Sequence, residues 1–410
     1  MRSRVAAALL VAGALASLPA WSRQTPDAGS PFSGRVIEEP SPAPAGSAEP
    51  FLLVDRAGQV RLSWLEPGDG GGFRFRLSGL RGTTWSAPVT IAEGPALLAN
   101  WADVPSIFTT SGGTLAAHWL ERGPGRGAYG IRVATSTDDG ATWSDAVTPH
   151  RDQAPAEHGF AAFFEAPGTG ALGLVWLDGR LVAERGREGS MTLRSTTIAR
   201  GEPGEDTVVD LRVCDCCPTA AVRTDRGVLV AYRDRGTDEV RDIAVSRLVD
   251  GRWTPPVPVA RDGWRLDACP VNGPAVAAIG RAVAVAWFTL GSDATPRTRV
   301  AFSTDGGETF GAPIDVHAGV PYGRLALAML DPDRVLVSSI ERATDGAAIV
   351  VREVRRNGRT SDLVTVARTV PGRTSGFPRL VASGRRVWFA WTDVREGAPT
   401  QVRLASARMR

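Results

Sequence analysis

Ser136-Thr-Asp-Asp-Gly-Ala-Thr-Trp143 and Ser303-Thr-Asp-Gly-Gly-Glu-Thr-Phe310 are two copies of one pattern, S-x-D-x-G-x-T-aromatic. As a hairpin turn the pattern makes physical sense: the aspartate accepts the turn's backbone amides, the glycine takes positive φ, and the aromatic packs under the next strand. Weaker copies run Ser78-Gly-Leu-Arg-Gly-Thr-Thr-Trp85 and Ser246-Arg-Leu-Val-Asp-Gly-Arg-Trp253. The aromatic ends Trp85, Trp143, Trp253 and Phe310 are separated by 58, 110 and 57 positions. The middle gap is about twice the others, so a diverged unit fills it and the chain repeats roughly every 55 residues.

Each unit reads as four short strands. In the second, 104–109, 114–120, 130–135 and 146–149 are β-rich runs divided by Gly, Pro and Asp. Units begin near Phe51, Val104, Phe160, Thr219, Ala275, Arg324 and Pro378. This predicts an all-β chain, a β-propeller of four-stranded antiparallel blades with seven blades, six being the alternative count and a solenoid the alternative architecture. The last unit has three clear strands, so a segment near Gly34 to Glu38 is expected to complete its sheet.

The repeats occupy residues 51–410 as a single domain. Ahead of them, residues 1–22 carry Arg2 and Arg4, an apolar run from Val5 to Leu18 and small residues at Ala16 and Ala20, the pattern of a cleaved signal peptide. The expected location is periplasmic or secreted, with an uncleaved signal anchor as the alternative. No later stretch is long and apolar enough to span a bilayer. Residues 23–50, rich in Pro, Ser, Ala and Gly, read as a disordered linker.

A net charge of +3, with no basic cluster interleaved with aromatics, argues against a nucleic-acid partner. Lysine is absent, so all 47 strongly basic residues are arginine. That removes lysine-nucleophile chemistry and favours planar recognition of carboxylate or phosphate by guanidinium groups. In a propeller, the loops that open each blade share a face with the loops between its second and third strands. Many charged residues fall in those loops, among them Glu157, His158, Tyr232-Arg-Asp-Arg235, Arg241-Asp242, Arg297, Arg299, Tyr322 and Arg324.

Asp-box hairpins at this period resemble the sialidase-like (BNR repeat) β-propellers, over almost the whole of 51–410. The resemblance implies an arginine triad for a substrate carboxylate, a tyrosine nucleophile with a glutamate, and an aspartate acid/base. Arg297-Thr-Arg299 followed by Val320-Pro-Tyr-Gly-Arg-Leu325 is similar to the family's third arginine and nucleophile segment, which makes Tyr322 the implied nucleophile. Tyr232-Arg-Asp-Arg235 and Arg241 are similar to the place of the second arginine. Two positions depart from the family. Asp103 stands in Asp103-Val-Pro-Ser-Ile107 where the first arginine belongs, and Cys216-Cys217-Pro218-Thr219 stands where the activating glutamate belongs. An acid there repels an anionic substrate, and a thiol does not take a phenol proton as a carboxylate does.

All four cysteines fall in two blade-opening segments, Val213-Cys-Asp-Cys-Cys-Pro218 and Asp267-Ala-Cys-Pro-Val-Asn-Gly-Pro274. In an exported protein they form two disulfides, or a soft-metal site for copper or zinc on Cys214, Cys216, Cys217 and Cys269 with Asp215, Asp267 or His158 in support, or a redox pair. Two functional readings follow. In the first, an exported propeller binds an anionic glycan at its upper mouth, and as an exo-sialidase-like hydrolase cleaves it. Arg233, Arg235, Arg241, Arg297, Arg299, Arg324 and Asn272 then hold the ligand, with Tyr322 and Asp234 or Asp242 for chemistry. In the second, a non-enzymatic periplasmic protein uses the cysteine mouth for a soft metal, thiol redox or a protein partner.

Overall fold

The computed structural model describes residues 29–125 and 127–410, so the segment read as a signal peptide lies outside the described residues. Thirty strands form seven sheets, each belonging to one blade. The innermost strands of blades I to VII are Ala48–Val54, Ser106–Thr109, His158–Glu165, Ala220–Thr224, Ala275–Ile279, Pro321–Asp331 and Arg379–Ser383. Each expected unit start falls within three residues of one of these. All seven line a central channel holding a cavity of about 350 Å³. The count is seven rather than six, and the closed ring rules out a solenoid.

The ring closes through a strand from the opposite end of the chain. Ile37–Glu39 pairs antiparallel with Gln401–Arg408, setting Ile37 opposite Ser406 and Glu39 opposite Leu404, as the outermost strand of blade VII. Phe32 is buried edge-on against Phe389, with ring centroids 6.3 Å apart, and forms a bridge to Met409. The expectation of a linker over 23–50 is therefore corrected from residue 29 onward. The composition is that of a linker, but a few apolar side chains and main-chain pairing are enough to order it.

Both S-x-D-x-G-x-T segments make the same bonds. Ser136 Oγ donates to Asp138 Oδ1 and accepts from Gly140 N at 2.9 Å, while Asp138 accepts Thr142 N and Oγ1 at 2.9 and 2.6 Å. Ser303, Asp305, Gly307 and Thr309 repeat this set at 2.6 to 3.0 Å. Their aromatics, and those of the weaker copies, turn toward the preceding blade. Trp85 meets Trp388 and Trp253 meets Phe164 edge-on, with centroids 6.0 and 5.9 Å apart. A second repeat runs through the middle strands: Trp64, Trp119 and Trp176 each donate Nε1 to an acid two residues on, Glu66, Glu121 and Asp178, at 2.7 to 3.0 Å. The two-residue step keeps ring and carboxylate on one face of the strand.

Candidate functional site

The loops before blades IV and V carry the cysteines, and their main chains lock together. Cys214 N donates to Arg233 O at 3.0 Å, at the upper end of blade IV's second strand. At Gly273 a Cβ would lie 2.0 Å from Pro218 O, so only glycine lets the two loops close on each other. Asn272 then joins three blades. Its N–H donates to Cys217 Sγ at 3.4 Å, its Nδ2 to Tyr322 O at 3.3 Å, and its Oδ1 accepts from Arg324 N at 2.8 Å.

The sulfurs gather as a result. Donor atoms of Cys214, Cys216 and Cys217 all lie within 4.8 Å of one another, and Cys269 is carried on the facing loop, whose Asn272 N–H donates to Cys217 Sγ. Cys214 and Cys217 are buried, Cys216 is partly covered and Cys269 is exposed, so the cluster opens toward solvent on the Cys269 side. No disulfide is formed: Cys214 Sγ and Cys217 Sγ are 3.4 Å apart, against about 2.05 Å for a bond. The expectation of two disulfides is not met in this structure.

Cations surround the sulfurs. Arg241 Nη1 donates to Cys214 Sγ at 3.2 Å while its Nη2 holds Glu239 Oε2 at 2.8 Å. Arg235 bridges Glu239 and Asp215 at 3.0 and 3.2 Å. Hydrogen bonds from the Cys216 and Cys217 thiols, with the Arg233 charge behind them, hold Cys214 far below the usual thiol range. The neighbouring Cys216 thiol likewise lowers Cys269, Cys216 is itself raised by its cysteine neighbours, and burial raises Cys217.

The structure spends the other expected ligand-binding arginines on protein partners. Arg233 is buried, donates to Asn272 O, Arg241 O and Phe288 O, and lies 4.7 Å over the Trp264 ring. Arg297 pairs with Asp293 at 2.5 Å, and Arg299 with Asp262 and with Asp315. Arg324 donates to Gly372 O and Ser375 Oγ beneath Trp101. Each is held by the protein's own groups. The expected reaction groups lie in blades IV and VI. Asp242 accepts Gly263 N and Trp264 N, which fixes a loop, and Asp234, pushed up to about 6 chiefly by burial, also sits in blade IV. Tyr322 opens blade VI and packs against the apolar core of blades VI and VII. No described contact joins its hydroxyl to a carboxylate. His158, expected as an extra ligand for the cysteines, faces Asp152 and Asp178 instead, at 3.1 and 3.6 Å. Asp267 is exposed on the loop.

Glu239 and Glu49 escaped the reading of the sequence, as did the burial of Asp103. Glu239 collects Arg212, Arg235 and Arg241 at 2.8 to 3.1 Å and thereby orients the Arg241 guanidinium on Cys214. Its position two residues before Arg241 on an exposed-looking loop offered no signal. Glu49 and Asp103 lie buried at the channel mouth. Burial, then the Asp103 charge, pushes Glu49 up to about 8, and burial pushes Asp103 up to about 7 against a hydrogen bond from Tyr129. Asp103 was noted only as a departure from a family pattern. Glu49 fell in the supposed linker.

No family model matches this chain, and no curated protein matches it. Among solved structures, a protein of unknown function from Dyadobacter fermentans aligns over 92% of this chain and 98% of its own, at 17% identity and a TM-score of 0.53. The polysaccharide lyase Uly1 aligns over 90% and 91%, at 10% identity and a TM-score of 0.52. The likeness is one of fold. The NanB sialidase from Streptococcus pneumoniae aligns over 92% of this chain and 71% of its own at 11% identity, with a TM-score of 0.46.

Proposed function

We propose that this propeller is an exported binding protein whose upper mouth takes a soft metal ion, Cu(I) or Zn²⁺, on Cys214, Cys216, Cys217 and Cys269. One observation carries the reading: Cys214, Cys216 and Cys217 hold their donor atoms within 4.8 Å of one another, and the loop locked against them carries the chain's fourth cysteine, Cys269. Thiolates are the ligands such ions prefer. Arg241 on Cys214, with Arg233 and Arg235 near, offsets the negative charge that several thiolates around one cation accumulate.

Thiol titration and elemental analysis of protein purified without chelators test this. We expect one metal equivalent that depends on the cysteines, and four thiols that become reactive once that metal is stripped. Four cysteines in disulfides with no metal, or full metal retention by Cys214→Ser/Cys217→Ser, would rule the reading out. Processing of the N-terminus at about residue 22, read by mass spectrometry of exported protein, tests the export step.

A second reading, carbohydrate binding at the same mouth, rests on Tyr322. Of the chain's three tyrosines, Tyr129 and Tyr232 are buried and Tyr232 donates to Asp210, while Tyr322 is only partly buried at the opening of blade VI and its hydroxyl makes no described hydrogen bond. The lyase that shares the fold acts on a polysaccharide, as its name says. Binding to a panel of sialosides and uronic-acid glycans that is unchanged by Tyr322→Phe would remove this reading.

A further inference from the structure

A second group of metal-ligating side chains lies outside the cysteine mouth. The chain has four histidines, and two fall in His150-Arg-Asp152 and His158, where the chain crosses from blade II to the first strand of blade III. Their rings stack in parallel, with centroids 3.8 Å apart and planes 5° apart, so their in-plane lone pairs run side by side and the His150 ring turns about its χ2 bond when both take one ion. Asp152 Oδ2 faces both, 3.1 Å from His158 Nε2 and 3.5 Å from His150 Nδ1. In tetrahedral coordination with bonds of about 2.0 to 2.1 Å, neighbouring donor atoms stand about 3.3 Å apart. The two measured separations straddle that edge.

His150 adds an independent sign. Its side chain is nine-tenths buried, yet neither ring nitrogen has a hydrogen-bond partner. Burying polar nitrogens without partners costs free energy that a ligand recovers. The ring has its place because position 130 is glycine, where a Cβ would come within 2.9 Å of His150 Nε2. Charge points the same way. Asp152, Asp178 and Asp206 face two guanidiniums: Arg180, which touches all three, and Arg194, which pairs with Asp206. Arg180 holds Asp178 through two bonds of 2.7 Å, so it stays anchored if Asp152 turns to another cation.

The geometry points to a second metal site, of the two-imidazole, one-carboxylate kind, in which His150, Asp152 and His158 bind a divalent ion of borderline softness such as Zn²⁺. The donor set differs from the thiolates, so this site takes its ion when the cysteines are absent. The coordinating atoms are His158 Nε2, an Asp152 oxygen and a nitrogen of the unpartnered His150 ring, with water completing the shell. Because His158 opens the innermost strand of blade III, the bound ion ties the blade II to III crossing to the channel wall.

The test uses the whole mature chain with all four cysteines changed to serine, titrated with zinc alone by equilibrium dialysis, with circular dichroism as the check on folding. One equivalent of zinc is expected, lost by on the order of a hundredfold in affinity in His150→Gln and in Asp152→Asn. Cobalt(II) in place of zinc is expected to give weak visible bands without sulfur-to-metal charge transfer. If the serine variant misfolds, the unchanged chain is titrated instead, and His150→Gln must cost one of two equivalents. No zinc in the folded serine variant, or undiminished zinc in His150→Gln, overturns the site. Loss of metal from the cysteines alone, with this equivalent kept, counts against the thiolate centre and leaves the histidine site standing.

Discussion

At Gly273 a methyl group would lie 2.0 Å from the carbonyl oxygen of Pro218, and relief requires the two cysteine loops to separate. Gly273→Ala is expected to cost about 1 to 3 kcal/mol in denaturant unfolding. Its larger effect should be on metal retention, because the shift carries Asn272 away from Cys217 and Cys269 away from Cys216. Unaltered metal affinity in that variant would mean the loops are not what gathers the sulfurs. Glu49 offers a pH test. Its carboxyl keeps a proton to about pH 8 in the folded chain and gives it up near the ordinary value of 4.5 when unfolded. Folding therefore takes up a proton between those values, and the stability present in acid is lost as pH rises toward 8. Glu49→Gln should match the parent's melting temperature at pH 5 and exceed it at pH 9. Equal melting curves at both pH values would show that Glu49 does not titrate as described. At this scale the sequence named the right loops and the wrong partners. Arg297, Arg299 and Arg235 were visible as charges, but Asp293, Asp262 and Glu239, which engage them, come from the same or adjoining loops and could not be matched without coordinates.

The turn between third and fourth strands is the best-specified element of the blades. In both strong copies the glycine combines positive φ with close packing on the blade before it: Gly140 at φ +86° sits under Leu77, and Gly307 at φ +87° would place a Cβ 2.1 Å from Leu229 Cδ1. The pattern was legible because backbone geometry and inter-blade packing both demand glycine at one position. Gly307→Ala should destabilise by about 1 to 3 kcal/mol, with an asparagine at the same place recovering none of it, since Asn relieves the φ penalty but not the collision. Recovery by asparagine would show that conformation alone sets the requirement. The aromatic-acid pairs of the middle strands, such as Trp176 with Asp178, went unread because tryptophan and a carboxylate two apart look like ordinary core and rim until the strand direction is known.

At the scale of the whole molecule, period and turn signals located all seven inner strands, from Ala48 to Arg379, because every blade repeats the same alternation of β-rich runs and breakers. The closing segment was only half legible. Gly34 to Glu38 was expected to complete the last sheet and Ile37–Glu39 does, yet the surrounding proline and serine disguised how firmly residues 29–50 are held. Phe32 supplies much of that hold. Phe32→Ala is expected to cost about 3 to 5 kcal/mol and to lower the melting temperature without altering metal stoichiometry at the mouth. A change below 1 kcal/mol would mean that main-chain pairing alone seals the ring.

Because Ile37–Glu39 closes the ring by pairing with Gln401–Arg408, from the far side of the seven blades in chain order, the propeller stays unlatched until that late strand has been made. Until Ile37–Glu39 docks on it, Gln401–Arg408 is a bare edge open to β-pairing. A neighbouring chain's early segment fits it as well as the chain's own, so crowded synthesis should favour latch-exchanged dimers over misfolded monomers.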